Sequence, residues 1–136
     1  DIGVGLDEPS FPEYLTADQL NNIMKNIYRK RDEKRYYELI DQFELPKWKK
    51  QFKNYSKGMK MKLAIAVALS HHAKLLILDE PTTGVDATST KALYDTLYEI
   101  NTKYNTTIFM ITHGRLQDCK GCDRILRMDE GRIVEQ

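Results

Sequence analysis

The 136-residue sequence has few of the features that would assign it to a specialised class of protein. It contains only two cysteines, which excludes a disulfide framework and makes a reducing cytosol the default environment. Its longest apolar runs, residues 63–69 and 75–78, are far shorter than the roughly 20 residues that a membrane-spanning helix needs. The formal net charge is only +1, which gives no electrostatic basis for a nucleic-acid partner. With 41% hydrophobic and 30% charged residues, the composition is that of one globular domain.

The spacing of apolar residues predicts helices in the first half of the chain and alternating strands and helices in the second. Thr16 is a candidate N-cap for a first helix, a second amphipathic stretch covers Glu33–Phe43, and a third helix is expected over Lys57–Ser70. The part "KLAIAVALS" (62–70) of the third helix is apolar nearly all round and should be buried. The remaining predictions are an irregular segment over 1–16, strands over 74–79 and 106–112, a helix over 87–103 and a terminal hairpin over 123–136. The fold class is therefore α/β with a helical insertion.

Two adjacent carboxylates, Asp79 and Glu80, follow the apolar run "LLIL". In an open parallel sheet, ligands bind beyond the carboxyl ends of the strands, which is where these acids are expected. Asp79 could hold Mg²⁺ as a hard oxygen ligand, and Glu80 could orient an attacking water. The pattern by itself is weak evidence for a metal and a base, because a solvated strand end or a helix-capping pair can have the same sequence.

Three further sites strengthen a phosphate interpretation. Ser56 and Gly58 lie at the predicted start of the third helix, where free N–H groups favour an anion, although a serine N-cap explains them equally well. Asp86 follows a turn after the two acids. His113 ends the second predicted strand and should face the same cleft as Glu80, although a histidine there can be purely structural.

These motifs resemble those of the ATPase subunit of an ABC transporter. The stretch "YSKGM" is similar to the family's signature motif LSGGQ, with Tyr55 for Leu, Lys57 for Gly and Met59 for Gln. "LLILDE" is similar to Walker B, "TGVD" to the D-loop and "ITHG" to the switch-histidine loop, all in the family's order. The sequence of residues 56–82 is most similar to those of Gram-positive bacterial cassettes of the bacitracin-export type.

The resemblance implies a partial P-loop NTPase core, with a helical signature subdomain over residues 1–62 and the C-terminal part of the ATPase core over 63–136. It implies ATP and Mg²⁺ as cofactors. Its partners would be a second cassette, packed head to tail, and a transmembrane permease subunit that holds the protein on the cytoplasmic face of the membrane. The implied site residues are Glu80 and His113 for catalysis, Tyr55, Ser56, Lys57, Gly58, Met59 and Asp86 for nucleotide binding, and Asp79 for the metal.

The sequence departs from the family in two places. No stretch reads G-x-x-x-x-G-K-[ST], the phosphate loop that compensates most of the charge of a bound triphosphate. Asp7 and Glu8 stand where the family has a glutamine. The chain also begins with Asp1 and resembles mid-chain sequence, so we expect a piece of a longer protein that is inactive by itself.

Two other functions remain open at this stage. One is a soluble, non-transport ABC-type ATPase that acts on the ribosome or on DNA; the other is a non-enzymatic fragment that only binds a partner.

Cys119 and Cys122 form a C-x-x-C, which is half of a usual zinc site. Incidental cysteines without a metal or redox function are the better interpretation.

Overall fold

The computed structural model describes residues 4–6, 11–27, 30–113 and 121–135, which form helices and two small sheets. The helices are α1 (Ala17–Ile27), α2 (Glu33–Gln42), α3 (Lys57–Ser70) and α4 (Ala87–Tyr104), with a short 3₁₀ turn at Phe52–Asn54. The strands are β1 (Val4–Leu6), β2 (Leu75–Asp79), β3 (Thr107–Ile111), β4 (Leu126–Asp129) and β5 (Arg132–Glu135).

The main sheet is parallel and has the order β1-β2-β3, so β2 lies in the centre. Parallel neighbours need crossover connections, and the helical segment α1–α3 joins β1 to β2 while α4 joins β2 to β3. In the register, Leu76 lies opposite Ile108 and Asp79 opposite Ile111. Strands β4 and β5 form a separate antiparallel hairpin. The α/β class predicted from the sequence is confirmed.

Helix α3 is the centre of the core. Its apolar residues are buried on nearly every side, as the sequence predicted, and they pack most closely against α2 and also against α4, in one core cluster that includes Leu76 and Leu78 of β2. Burial of these faces is the main force that holds the helices on the sheet. The largest fully buried side chains are Tyr36, Phe52, Leu39, Ile40, Met61, Leu63, Ile65, Leu69, Leu76, Leu78, Leu93 and Ile100.

Helix α1 begins with the predicted cap. The hydroxyl of Thr16 accepts a hydrogen bond from the amide of Gln19 (3.2 Å), and the Gln19 side chain accepts one from the amide of Thr16 (3.0 Å). This reciprocal pair is a capping box, which satisfies two amides that the first turn leaves without helical partners. The phenol of Tyr36 donates to the carbonyl of Ala17 (2.7 Å) and joins α2 to that same turn.

The expectation of an irregular segment over residues 1–16 is wrong for Val4–Leu6, which form β1 and pair with Leu76, Ile77 and Leu78. The tripeptide is short and has a glycine at its centre, so its own sequence does not predict a strand. It becomes a strand because the edge of β2 offers unpaired backbone groups, which is a non-local effect. The predicted division between residues 62 and 63 falls inside α3, so it is not a break in the backbone, and as a functional division it stays a prediction.

Apolar side chains remain exposed on the outer face of β3 and on the hairpin. Phe109 is 50% exposed and Ile111 45%. On the hairpin, Met128 and Ile133 are 70% and 65% exposed. Within the described ranges, none of the helices is both long enough and apolar enough to span a bilayer.

Candidate functional site

The carboxyl ends of β2 and β3 bring Glu80 and His113 together. The amide of Glu80 donates a hydrogen bond to the carbonyl of Ile111 (2.8 Å), so the two strands stay paired one residue beyond the end of β2. Nε2 of His113 lies 3.1 Å from Oε1 of Glu80. The side chain of His113 is 95% exposed and that of Glu80 only 27%, so the carboxylate lies in a recess and the imidazole at its mouth.

Glu80 has a strained backbone and a carboxylate with two different oxygens. Its φ angle is +47°, in the left-handed region that non-glycine residues rarely adopt. Oε2 accepts a hydrogen bond from the hydroxyl of Thr83 (3.2 Å). Oε1 is buried and, among the described residues, accepts no hydrogen bond of good geometry despite the nearby imidazole. An oxygen of this kind is available to a further donor in the cleft.

Asp79 is the last residue of β2, and its side chain is exposed at the same strand end. Among residues 4–6, 11–27, 30–113 and 121–135, no cluster of three or more acidic, histidine or cysteine side chains could hold a metal ion by itself. A lone carboxylate nevertheless suits Mg²⁺, which keeps several waters and takes its other oxygens from substrate phosphates. The donor set therefore fits a metal brought in with a triphosphate rather than a resident metal.

Ser56 begins α3 as its N-cap, and its Oγ accepts a hydrogen bond from the amide of Met59 (3.2 Å). Gly58 lies in the first turn, and a Cβ built there would meet none of the residues that the structure describes within 4 Å. Packing against the described part of the chain therefore does not require a glycine at position 58, and on that side the space is open to another molecule. Met59 and Lys57 are half-buried.

Tyr55 lies just before this helix start, but its ring points into the core. It is only 6% exposed, packs against Phe52 and donates its hydroxyl to the carbonyl of Pro46 (2.9 Å). Only the backbone of Tyr55 could then face a nucleotide. Its assignment as a nucleotide contact stays a prediction.

Asp86 is the N-cap of α4, and its carboxylate accepts a hydrogen bond from the amide of Ser89 (3.0 Å). Hydrogen bonds from the Ser89 side chain and then from its backbone lower the pKa of Asp86 from its usual value. The turn before α4 contains Gly84 with φ of +76°, a conformation that favours glycine. A Cβ at this glycine would lie 3.9 Å from Cδ of Lys57, so the turn adjoins the start of α3.

The structure therefore brings together Glu80 with His113, and the turn around Gly84 with the start of α3. Sequence reasoning did not find Thr83, whose hydroxyl contacts Glu80. The sequence carries no specific signal for this contact, because threonine hydroxyls in turns characteristically bond nearby backbone groups, whereas the partner here is a side chain. Asp7, Glu8 and Cys119 lie outside the described residues, and Cys122 is exposed.

Comparison with known proteins decides the family. The profile of the family described as "ABC transporter" matches residues 6–83, more than half of the chain. The chain belongs to the ABC transporter ATP-binding family. The matched segment of this ABC domain contains Ser56, Asp79 and Glu80 but ends before Asp86 and His113, whose assignments rest on the motif resemblance and on geometry.

Relatives and a solved structure agree with this membership. The chain is 34% identical over 131 residues to the oligopeptide transport ATP-binding protein OppD of Escherichia coli, covering 91% of this chain and 39% of that protein. It is 32% identical over 133 residues to the uncharacterized ABC transporter ATP-binding protein YdbJ of Bacillus subtilis, covering 97% and 43%. The ABC domain thus spans less than half the length of these relatives. The dimeric structure of MJ0796, a bacterial ABC transporter cassette, has the same fold, with a TM-score of 0.75 at 21% identity over 99% of this chain and 63% of that one. The bacitracin-export subfamily stays a prediction.

Proposed function

We propose that this chain forms part of an ATP-hydrolysing cassette in which Glu80 is the general base. The observation that carries the proposal is the 3.1 Å approach of His113 to Glu80 at adjacent strand ends, in a chain of this family. In open α/β sheets this edge is where phosphate ligands bind. The recessed carboxylate with one oxygen that accepts no hydrogen bond from the described residues suits proton abstraction from water.

In the proposed reaction, Glu80 takes a proton from water while the water oxygen attacks the γ-phosphorus of ATP. The bond from that phosphorus to its bridging oxygen breaks, the electron pair stays on ADP, and inorganic phosphate leaves. The exposed imidazole of His113 is free to turn from the carboxylate towards a phosphate oxygen and donate a hydrogen bond there. Asp79 would hold Mg²⁺, which would supply positive charge to offset the negative charge of the phosphates.

We further propose that the start of α3 completes the site of a second cassette. The open space beside Gly58 and the exposed hydroxyl of Ser56 support contact with a phosphate that lies outside this chain. Lys57 would add a cation there, and Asp86 would link the two sites across the interface. Tyr55 and Met59 would contribute through the backbone around the helix start. The dimeric state named for MJ0796 supports this arrangement.

The wider role is transport. OppD is named for oligopeptide transport, which supports coupling of hydrolysis to a separate permease and hence a position at the cytoplasmic face of the membrane. In this proposal residues 1–62 form the signature subdomain that meets the permease, and residues 63–136 the C-terminal part of the ATPase core. The small net charge supports a function without a nucleic-acid partner.

The 136 residues alone should not turn over ATP. They contain no phosphate-loop motif, so two carboxylates would face a polyanion with little compensating charge. We expect turnover only when the chain is joined to a segment that carries the phosphate-loop motif G-x-x-x-x-G-K-[ST], and we call this fusion the joined cassette.

The test compares ATP hydrolysis by the chain alone, by the joined cassette and by its Glu80→Gln variant. Turnover should appear only in the joined cassette, and Glu80→Gln should lower kcat by roughly 10²–10⁴-fold while ATP still binds. Full activity in Glu80→Gln, or turnover by the chain alone, would contradict the proposal.

A further inference from the structure

The hydroxyl of Thr83 lies 3.2 Å from Oε2 of Glu80, and we propose that Thr83 is a positioning residue for the catalytic carboxylate. The inference rests on the proposed function, because it concerns how the base is aimed at water. The proposed role is to orient Glu80, and it requires no contact of Thr83 with the substrate or a metal. Its effect passes entirely through Glu80.

The backbone on both sides of this contact is fixed. The amide of Glu80 is held by the carbonyl of Ile111 at 2.8 Å, and the amide of Thr83 is held by the carbonyl of Glu80 at 3.2 Å. Between them Pro81 is buried, which anchors the turn to the protein. With the backbone held at both ends, the remaining freedom of Glu80 is rotation about its side-chain bonds. A hydrogen bond to one oxygen removes much of that freedom.

The contact makes the two carboxylate oxygens different. Oε2 is occupied by the Thr83 hydroxyl, whereas Oε1 lies 3.1 Å from Nε2 of His113 and accepts no hydrogen bond of good geometry from the described residues. A half-turn of the carboxylate would only exchange its two chemically identical oxygens, and both contacts would be the same as before. A smaller rotation would break the bond to Thr83 and move Oε1 away from the imidazole. Thr83 therefore keeps Oε1 as the oxygen that receives the proton of the attacking water.

A purely structural role does not account for this side chain. Thr83 is exposed and contributes nothing to the hydrophobic core. Removal of its hydroxyl should leave the fold and its thermal midpoint unchanged, since exposed substitutions away from caps and cores have small effects. The consequence should instead be confined to the orientation of Glu80.

The neighbouring threonine provides a matched control. Thr82 belongs to the same turn and is half-buried, and its carbonyl accepts a hydrogen bond from the amide of Val85 (3.1 Å). Thr82→Val makes the same chemical change one residue away and leaves the contact with Glu80 intact. Thr83→Val removes the hydroxyl at constant shape, and Thr83→Ser restores it.

The first measurement is ¹³C NMR of the Glu80 carboxyl carbon in the 136-residue chain. Thr83→Val should shift this resonance and broaden it, while Thr83→Ser and Thr82→Val should leave it near the wild-type position. The second is steady-state ATP hydrolysis by the joined cassette. Thr83→Val should lower kcat about 10-fold with KM within about twofold, because misaligned groups slow the chemical step more than they weaken binding. Thr83→Ser should recover most of that loss.

The outcomes separate this inference from the function on which it rests. A joined cassette that does not hydrolyse ATP even as wild type overturns the proposed function and this role with it. Turnover that is lost in Glu80→Gln but unchanged in Thr83→Val overturns the role of Thr83 alone. An equal loss in Thr82→Val and Thr83→Val would also overturn it, because the effect would then come from the turn and not from the hydroxyl.

Discussion

The amide of Glu80 and the carbonyl of Ile111 form a 2.8 Å hydrogen bond just past the end of β2. This bond continues the parallel pairing in which Asp79 lies opposite Ile111. Because the strands stay in register as they end, the side chain of Glu80 meets that of His113, two residues beyond Ile111. One backbone bond therefore aligns the two groups that we assign to catalysis.

The first prediction concerns His113. His113→Ala in the joined cassette should lower kcat by about 10²-fold, since an imidazole that supports the transition state is lost. Because the side chain is 95% exposed, the thermal midpoint should not change. The exposed His72, two residues after the end of α3, serves as the control, and His72→Ala should retain wild-type kcat. Equal activity of the two variants would refute the assignment.

The second prediction separates the two roles of Ser56. Ser56→Ala should lower the free energy of unfolding by about 1 kcal/mol, because the amide of Met59 loses its cap. Ser56→Asp should keep the cap and the stability but place a negative charge at the proposed phosphate site. Urea denaturation of the chain measures the first effect, and ATP-dependent dimerisation of the joined cassette measures the second. Dimerisation by Ser56→Asp at the wild-type ATP concentration would count against the phosphate contact.

The third prediction concerns the central strand. Leu76 is fully buried on the inner face of β2, and Leu76→Ala should lower the free energy of unfolding by roughly 2–5 kcal/mol through lost burial and a residual cavity. Met128 on the hairpin is 70% exposed, so Met128→Ala should change the free energy of unfolding by no more than about 0.5 kcal/mol. Chemical denaturation of both variants provides the comparison. A similar loss of unfolding free energy in both variants would contradict this prediction, because it would mean that Met128 is buried in solution.

The fourth prediction is a loss of stability in alkali. Burial, and then the hydrogen bond to Asp18, raise the pKa of Tyr37 to about 12 from its ordinary value of 10. The folded state thus favours the neutral phenol. The contribution of Tyr37 to stability is complete below pH 10 and is lost as the pH rises from 10 towards 12.

The measurement is the free energy of unfolding at several pH values. Tyr37→Phe cannot ionise, so its stability should fall less steeply than that of the wild type between pH 10 and 12. Tyr98→Phe, on an exposed tyrosine of α4, should keep the wild-type slope. Parallel curves for wild type and Tyr37→Phe would show that burial of this phenol does not control the alkaline transition.

Those parts of the structure that depend on neighbouring residues could be predicted without coordinates. The bounds of α3, the cap at Thr16 and the acids at the end of β2 follow from periodicity and capping residues within a few positions. The α/β class followed from the order of those elements, and the motifs between residues 54 and 114 indicated the family that the profile match bears out.

Contacts between segments distant in the chain could not be predicted and became visible only in the folded protein. Folding made Val4–Leu6 a strand against β2, set the 3.1 Å approach of His113 to Glu80, and placed Gly84 beside Lys57. It also turned the ring of Tyr55 into the core. The physical reason is that local propensity determines which secondary structure a segment forms. Burial and strand pairing with distant partners determine where its side chains lie in the folded protein.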